Sequence, residues 1–346
     1  MVFIMPAVVF YVNPDNKFHT ETYSKGIAAK LLDHKCITGT VNYEKRVILK
    51  YYIKGLTKSP DAVVFGSSRA MMIDSSFFSN HNIFVLNCGV NSATLEDEMA
   101  LYDMFVKRGW YPKQVILGID PYYFNDNNPQ KLYGPIREYY YDMCNRIGVQ
   151  IPHDNELNMK YGLYKDLFNP YYFQKSLLYW LGTGNNHSYT VTSNINNDKA
   201  TLLSNGCITY SKEQREWSQT QSDEFARSYL SDEVVYYKNF KRISTSISDK
   251  LEKFIDYLKS KGVEVYILYE PYHPICYKEF ISDPQYKTAV TTENYCRQVA
   301  VKKQIHFFGA LNPAILGLKN SDFYDGAHLK EEALRKILIN FSSVPS

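Results

Sequence analysis

Asp61-Ala-Val-Val-Phe-Gly-Ser-Ser-Arg69 is the stretch on which the fold turns. Ala62 to Phe65 is a continuous apolar run, whereas a strand with one wet face would alternate. The run predicts a short strand covered on both sides, as in a parallel sheet. Gly66 lets the backbone turn sharply where that strand ends, and the sequence after it is compatible with a helix. Open parallel sheets assemble their ligand sites at strand carboxyl ends. Ser67 and Ser68 therefore stand where a side chain can attack a bound molecule.

Two more runs of this kind follow, Ile83-Phe-Val-Leu86 and Gln114-Val-Ile-Leu-Gly-Ile119. An amphipathic helix, Ala93 to Lys107, lies between them, and Asn42 to Gly55 has helical spacing ahead of the first strand. The pattern resumes with a helix from Ile243 to Lys261, the strand Val263 to Tyr269 and a helix from Thr291 to Lys303. A strand Ile305 to Phe308 and a closing helix Glu331 to Phe341 complete it. Alternation of this kind predicts a three-layer α/β/α sandwich with a five-stranded parallel sheet, flavodoxin-like, joined by right-handed crossovers. Gly66, Gly89, Gly118 and the Pro271 loop fall at strand carboxyl ends and are expected to converge on one face.

The core so defined covers 61–124 and 246–341, with 13–60 as a lead-in. Residues 125–245 are rich in Tyr, Asn and Pro and read as a large insertion or cap. Within it, Tyr172 to Leu181 reads as a short apolar helix and Gly182 to Lys199 as a long loop or hairpin. The segment 1–12 is apolar and uncharged, too short to span a bilayer and without the basic start of a signal peptide. Two readings stand for it: a buried strand, or the remnant of a membrane anchor. It is followed by a turn, Asn13-Pro-Asp-Asn16.

Composition narrows the function. A formal charge of +3 with no Lys/Arg run argues against a nucleic-acid partner. Six cysteines (36, 88, 144, 207, 276 and 296) show no CxxC spacing or Cys/His cluster, which argues against a zinc site. Cys276 with Cys296 is the best disulfide candidate, and the alternative is six free, buried thiols. The 31 tyrosines suit wet, amphipathic surfaces and sugar-like ligands, or reflect compositional drift.

A serine nucleophile needs an imidazole and a carboxylate, and Asp325-Gly-Ala-His328 supplies both. An Asp three residues before a His in a tight loop can reach the far imidazole nitrogen, and of eight histidines only His328 has one there. With both blocks in view, the chain resembles the SGNH (GDSL-like) hydrolase superfamily of α/β esterases and acyltransferases. Within it, the Phe-Gly-Ser-Ser-Arg opening is similar to branches that modify bacterial cell-envelope carbohydrate, including alginate O-acetylation and teichoic-acid D-alanylation proteins. The resemblance covers about 61–124 and 246–341, and the insertion has no counterpart. It implies Ser68 as nucleophile, His328 as general base and Asp325 as the group fixing its tautomer.

The resemblance also implies an oxyanion hole. The first donor would be the Ser68 N–H; in Asn87-Cys-Gly-Val-Asn-Ser-Ala-Thr94, Ser92 stands where the family has a donor glycine. The family's Gly-x-Asn is Gly118-Ile-Asp120 here, and an ionised carboxylate cannot donate. Either backbone donors suffice, or Asn91 substitutes, or activity is gone. Arg69 could pair with Asp120 across neighbouring strand ends, or both could be separately solvated. Glu270-Pro-Tyr-His273 should line the same face. Arg69, Asp120, Tyr272 and His273 are candidate substrate contacts, with a structural Pro-rich turn as the other reading of the last two.

The expected function is a serine esterase or O-acyltransferase acting on acyl, chiefly acetyl, groups of envelope or exopolysaccharide carbohydrate. It needs no cofactor or metal. The expected location is the extracytoplasmic cell envelope, membrane-anchored if the 1–12 reading holds, and otherwise the cytoplasm. Three rival readings stay open. One is a catalytically inactive relative that binds polysaccharide or scaffolds an envelope biosynthesis complex. Another is an unrelated phosphate binder, disfavoured because no glycine-rich loop follows the first strand. In the third, Ser68, Asp325 and His328 are only turn and cap residues.

Overall fold

The computed structural model of the chain describes residues 4–13, 20–40, 43–78, 81–129, 131–151, 167–182 and 189–338. The strands among the described residues are β1 (Cys36–Thr38), β2 (Ala62–Phe65), β3 (Val85–Asn87), β4 (Gln114–Gly118), β5 (Thr190–Thr192), β6 (Thr201–Leu202), β7 (Ile208–Thr209), β8 (Glu264–Tyr269) and β9 (His306–Gly309). Five of them form a parallel sheet in the order β3-β2-β4-β8-β9. Val63 lies opposite both Leu86 and Val115, and Val115 opposite Val265. The chain starts at β2, steps to one edge, then crosses back through β4. The β2/β4 junction is thus the switch point of a doubly wound sheet, where such sheets hold their ligands.

Strand side chains alternate between two unequal cores. Val63, Phe65, Leu86, Val115, Leu117, Val265 and Ile267 enter the larger, with helices Lys45–Gly55, Leu95–Val106, Thr245–Ser260 and Lys287–Lys303. Ala62, Val64, Val85, Ile116, Tyr266 and Leu268 enter the smaller. That side is covered by Ala70, Ile73, Phe77, Phe78 and the apolar face of helix Glu331–Leu338. β2 and β3, with all but the first residue of β4 and β8, are buried on both faces, which is why those strands carry apolar runs, whereas the edge strand β9 is half-buried.

No α-helix follows β2. The chain instead makes a 3₁₀ turn, Ser68–Ala70, and a second at Ser75–Phe77. The Asn87 amide braces them: its Nδ2 donates to the Ala70 carbonyl at 2.8 Å and the Ile73 carbonyl at 3.0 Å. The Ala70 carbonyl also accepts the Ile73 N–H at 3.2 Å, an i+3 bond that closes the turn, and the Ile73 carbonyl also accepts from the Cys207 thiol at 3.2 Å.

A second, antiparallel sheet, β5-β1-β6-β7, draws one strand from the lead-in and three from the insertion. The described part of the 182–199 stretch is accordingly not a hairpin; Thr190–Thr192 pairs with Cys36–Thr38. The β6–β7 turn docks on the main sheet. Asn87 N–H donates to the Asn205 carbonyl at 2.9 Å, and Ile208 N–H to the Met71 carbonyl at 3.0 Å. Gly206 has φ +82°, and a Cβ there would overlap the Asn87 carbonyl.

Ile4–Val12 is a helix packed on helix Pro170–Trp180, not a buried strand. No helix among the described residues is long and apolar enough to cross a membrane. All six cysteines are buried and unbridged, so Cys276 and Cys296 are not joined. Residues 14–16 of the expected turn and 339–341 of the closing helix lie outside the described residues.

Candidate active site

The nucleophile turn rests on two glycines at the switch point. Gly66 has φ +137°, and a Cβ there would sit 3.0 Å from Ala70 Cβ and 3.1 Å from Gly118 Cα. A Cβ on Gly118 would in turn meet the Phe65 carbonyl at 2.9 Å. With no side chains there, the ends of β2 and β4 close on each other. Ser67 caps the 3₁₀ turn, and Ser68 projects its hydroxyl to 2.8 Å from His328 Nε2. On the other side of the imidazole, Nδ1 lies 2.9 and 2.8 Å from the Asp325 carboxylate oxygens.

The chain of donors follows from the chemistry of the acceptor. Asp325 is held down to about 2: burial pushes it up, but His328 and the N–H groups of Ala327 and His328 overcome that. It is ionised and can only accept, so His328 carries its proton on Nδ1 and offers a lone pair at Nε2. Ser68 therefore donates. Burial lowers the His328 pKa, but the Asp325 charge and hydrogen bond raise it further, and the net shift is upward.

The loop presenting these groups is tied at several points. Tyr324 N–H donates to the His328 carbonyl at 2.8 Å, and His273 N–H to the Gly326 carbonyl at 2.9 Å. Phe323 and Leu329 bridge across its base and enter the smaller core. A Cβ on Gly326 would overlap the Tyr229 ring of helix Gln219–Tyr237. Tyr210, from the insertion, lies edge-on to His328 with ring centroids 5.9 Å apart.

Arg69 joins all three parts of the site. Its Nη1 donates to Asp120 Oδ1 at 2.6 Å, Nη2 to the Pro271 carbonyl at 2.5 Å and Nε to the Ala327 carbonyl at 3.2 Å. Its guanidinium lies 4.2 Å from the Tyr272 ring centroid. Asp120 also accepts from the Tyr122 hydroxyl at 3.2 Å. The arginine and the carboxylate at the Gly-x-Asn position thus form one buried pair, each side chain 4% exposed.

The four candidate substrate contacts all have partners within the protein. Arg69, Asp120, Tyr272 and His273 are all buried and committed within the protein. Tyr272 bonds the Tyr237 hydroxyl at 2.9 Å. His273 caps helix Pro274–Ser282 by accepting at Nδ1 from Ile275 N–H, with Nε2 3.4 Å from Asp223. Burial lowers its pKa, against the pull of Asp223. Glu270 is also enclosed: burial pushes its carboxyl up to about 7 despite Arg69, and its Oε2 has no hydrogen-bond partner among the described residues.

Of the expected oxyanion residues, Ser92 has φ +48°, the left-handed conformation that a glycine adopts freely. Its hydroxyl is 2.9 Å from that of Tyr236. Asn91 lies in an exposed turn whose carbonyl accepts from Arg46 at 3.0 Å, and Arg46 is itself clamped by Asp97. Gly89 N–H is taken by Asn87 Oδ1 at 3.0 Å. Asn87, Tyr210, Tyr229 and Tyr236 were not anticipated as parts of the site. Asn87 is a polar residue ending an apolar strand, a signal that sequence reading could have used; the tyrosines arrive from the insertion and carry none. Among the described residues, no group of three or more His, Cys, Asp or Glu is placed to hold a metal ion.

No family model, curated protein or solved structure matches this chain.

Proposed function

We propose that this chain is a serine-dependent esterase or O-acyltransferase of the SGNH (GDSL-like) type. Its substrates in this reading are acylated carbohydrates of the cell envelope or an exopolysaccharide, or acylated small molecules. The observation that carries the chemistry is the unbroken hydrogen-bond chain from Ser68 through His328 to Asp325. The carbohydrate and the extracytoplasmic envelope location rest on sequence resemblance and on the tyrosine-rich insertion.

Ser68 Oγ attacks the acyl carbonyl carbon while its proton passes to His328 Nε2. The Asp325 carboxylate stabilises the imidazolium that forms. The tetrahedral oxyanion faces the Ser68 and Ser92 N–H groups. Collapse breaks the ester bond, and the leaving alkoxide takes the proton from Nε2. In the second half, water or a sugar hydroxyl gives its proton to Nε2 and bonds to the acyl carbon; the Ser68 Oγ–acyl bond then breaks and Oγ takes that proton back from Nε2. Arg69 neutralises Asp120, so the site does not set a bare carboxylate against the oxyanion.

The test is labelling by a fluorophosphonate, located by mass spectrometry, together with p-nitrophenyl acetate hydrolysis. We expect the label on Ser68 and a loss of about a thousandfold or more for Ser68→Ala. Asp120 favours a second reading, a non-catalytic binder of polysaccharide or scaffold, because an acceptor stands where related enzymes place an amide donor. An unlabelled Ser68, with equal hydrolysis by wild type and Ser68→Ala, would establish that reading instead.

A further inference from the structure

A separate opening lies between the segments that leave the carboxyl ends of β3 and β4. It is a cavity of about 230 Å³, lined by Tyr123, Tyr133, Tyr140 and Tyr141 among others. Also in its lining is an ion pair: Lys250 Nζ donates to Glu96 Oε1 at 2.9 Å and to the Tyr140 hydroxyl at 3.0 Å. Lys250 is 7% exposed. Burial works against the Glu96 charge, but Lys250 outweighs it, and the carboxyl is held below its ordinary range.

The chemistry of this lining selects by charge. Glu96 balances Lys250, and the other charged lining residues, Asp126 and Lys131, are again one of each sign. An anion or a cation would leave one partner of the enclosed pair uncompensated. A neutral ligand with neighbouring hydroxyls would not. One hydroxyl can accept the third Lys250 proton, the next can donate to Glu96, and the ligand's C–H faces can lie on the tyrosine rings. We propose that this cavity binds one neutral sugar unit, independently of Ser68. The site shares a stretch of chain with the Arg69 hub, since Tyr123 lines the cavity and the preceding Tyr122 bonds Asp120.

The test is titration of methyl glucoside, methyl galactoside and N-acetylglucosamine into the full chain, followed by saturation-transfer NMR. At least one should saturate with a Kd on the order of 1 mM, what a ligand of that size reaches. Ile247→Phe fills the cavity from within its lining and should weaken binding at least about tenfold while the melting temperature holds or rises. If that variant fails to fold, Glu96→Gln, which keeps the shape and removes the charge balance, should weaken binding about fivefold or more. Ser68→Ala should bind like wild type, so failure of the acyl-transfer reading would leave this result untouched. The proposal is overturned if no sugar saturates, if a folded cavity variant binds unchanged, or if inorganic phosphate binds more tightly than all three sugars.

Discussion

One proton decides the behaviour of the triad, the one that Asp325 holds on His328 Nδ1. In the proposed mechanism the neutral imidazole is the base, so hydrolysis should fall as pH drops through the His328 pKa. That value is raised, since Asp325 outweighs burial, and the acid limb of kcat/KM should lie above the ordinary histidine value of about 6.5. Asp325→Asn removes the charge that raises it; the limb should move to lower pH and the plateau fall about a hundredfold or more, both read from one pH–rate series. Glu270 gives a second pH signature, this time in stability. Its folded pKa of about 7 exceeds the ordinary glutamate value, so between the two the folded chain holds the extra proton. Stability from this group is therefore present at low pH and lost as pH rises toward 7 and beyond. Glu270→Gln should remove that loss, on the order of 2–3 kcal/mol, seen as a smaller drop in urea midpoint between pH 5 and 8 than in wild type.

Between elements, the Arg69–Asp120 pair is the joint that fixes Ser68 relative to β4, the Pro271 loop and the Asp325–His328 loop. Arg69→Met should cost about 3–5 kcal/mol because it leaves a buried carboxylate unpaired, and Arg69→Met with Asp120→Leu should recover most of that. Denaturant titration of the three proteins checks it. Gly118→Ala should cost about 1–3 kcal/mol by forcing apart the ends of β2 and β4, and should lower kcat more than it changes KM. The same elements show what a sequence can disclose. The inner parallel strands were legible because both their faces are covered, which leaves runs such as Ala62 to Phe65 without a polar residue. Ser68, Asp325 and His328 could be singled out as a serine, an imidazole and a carboxylate near strand ends, and their side chains do meet within hydrogen-bond distance. The second sheet was not: Thr190–Thr192 and Thr201–Leu202 are too short to show a period, and their partner Cys36–Thr38 is far away in sequence. The tyrosines around His328 were hidden for the same reason, since Tyr210 and Tyr229 owe their positions to packing across the chain rather than to a local pattern. The helix-compatible segment after β2 forms two 3₁₀ turns, braced by Asn87 on the neighbouring strand, a partner that lies beyond the segment itself.

For the molecule as a whole, cohesion comes from packing, since none of its six buried thiols is bridged. A thiol reagent should find almost no fast-reacting cysteine in the native protein and about six once guanidinium exposes them, and reductant should leave the melting temperature unchanged. The two cores are unequal, and the smaller is covered by Ala70, Ile73, Phe77 and Phe78, helix Glu331–Leu338 and the loop that carries His328. Regions with less buried apolar surface open at lower free energy. Warming should therefore abolish the proposed hydrolysis some degrees before the sheet itself melts. Cooling a sample held in that interval should restore full turnover, because the scaffold never came apart.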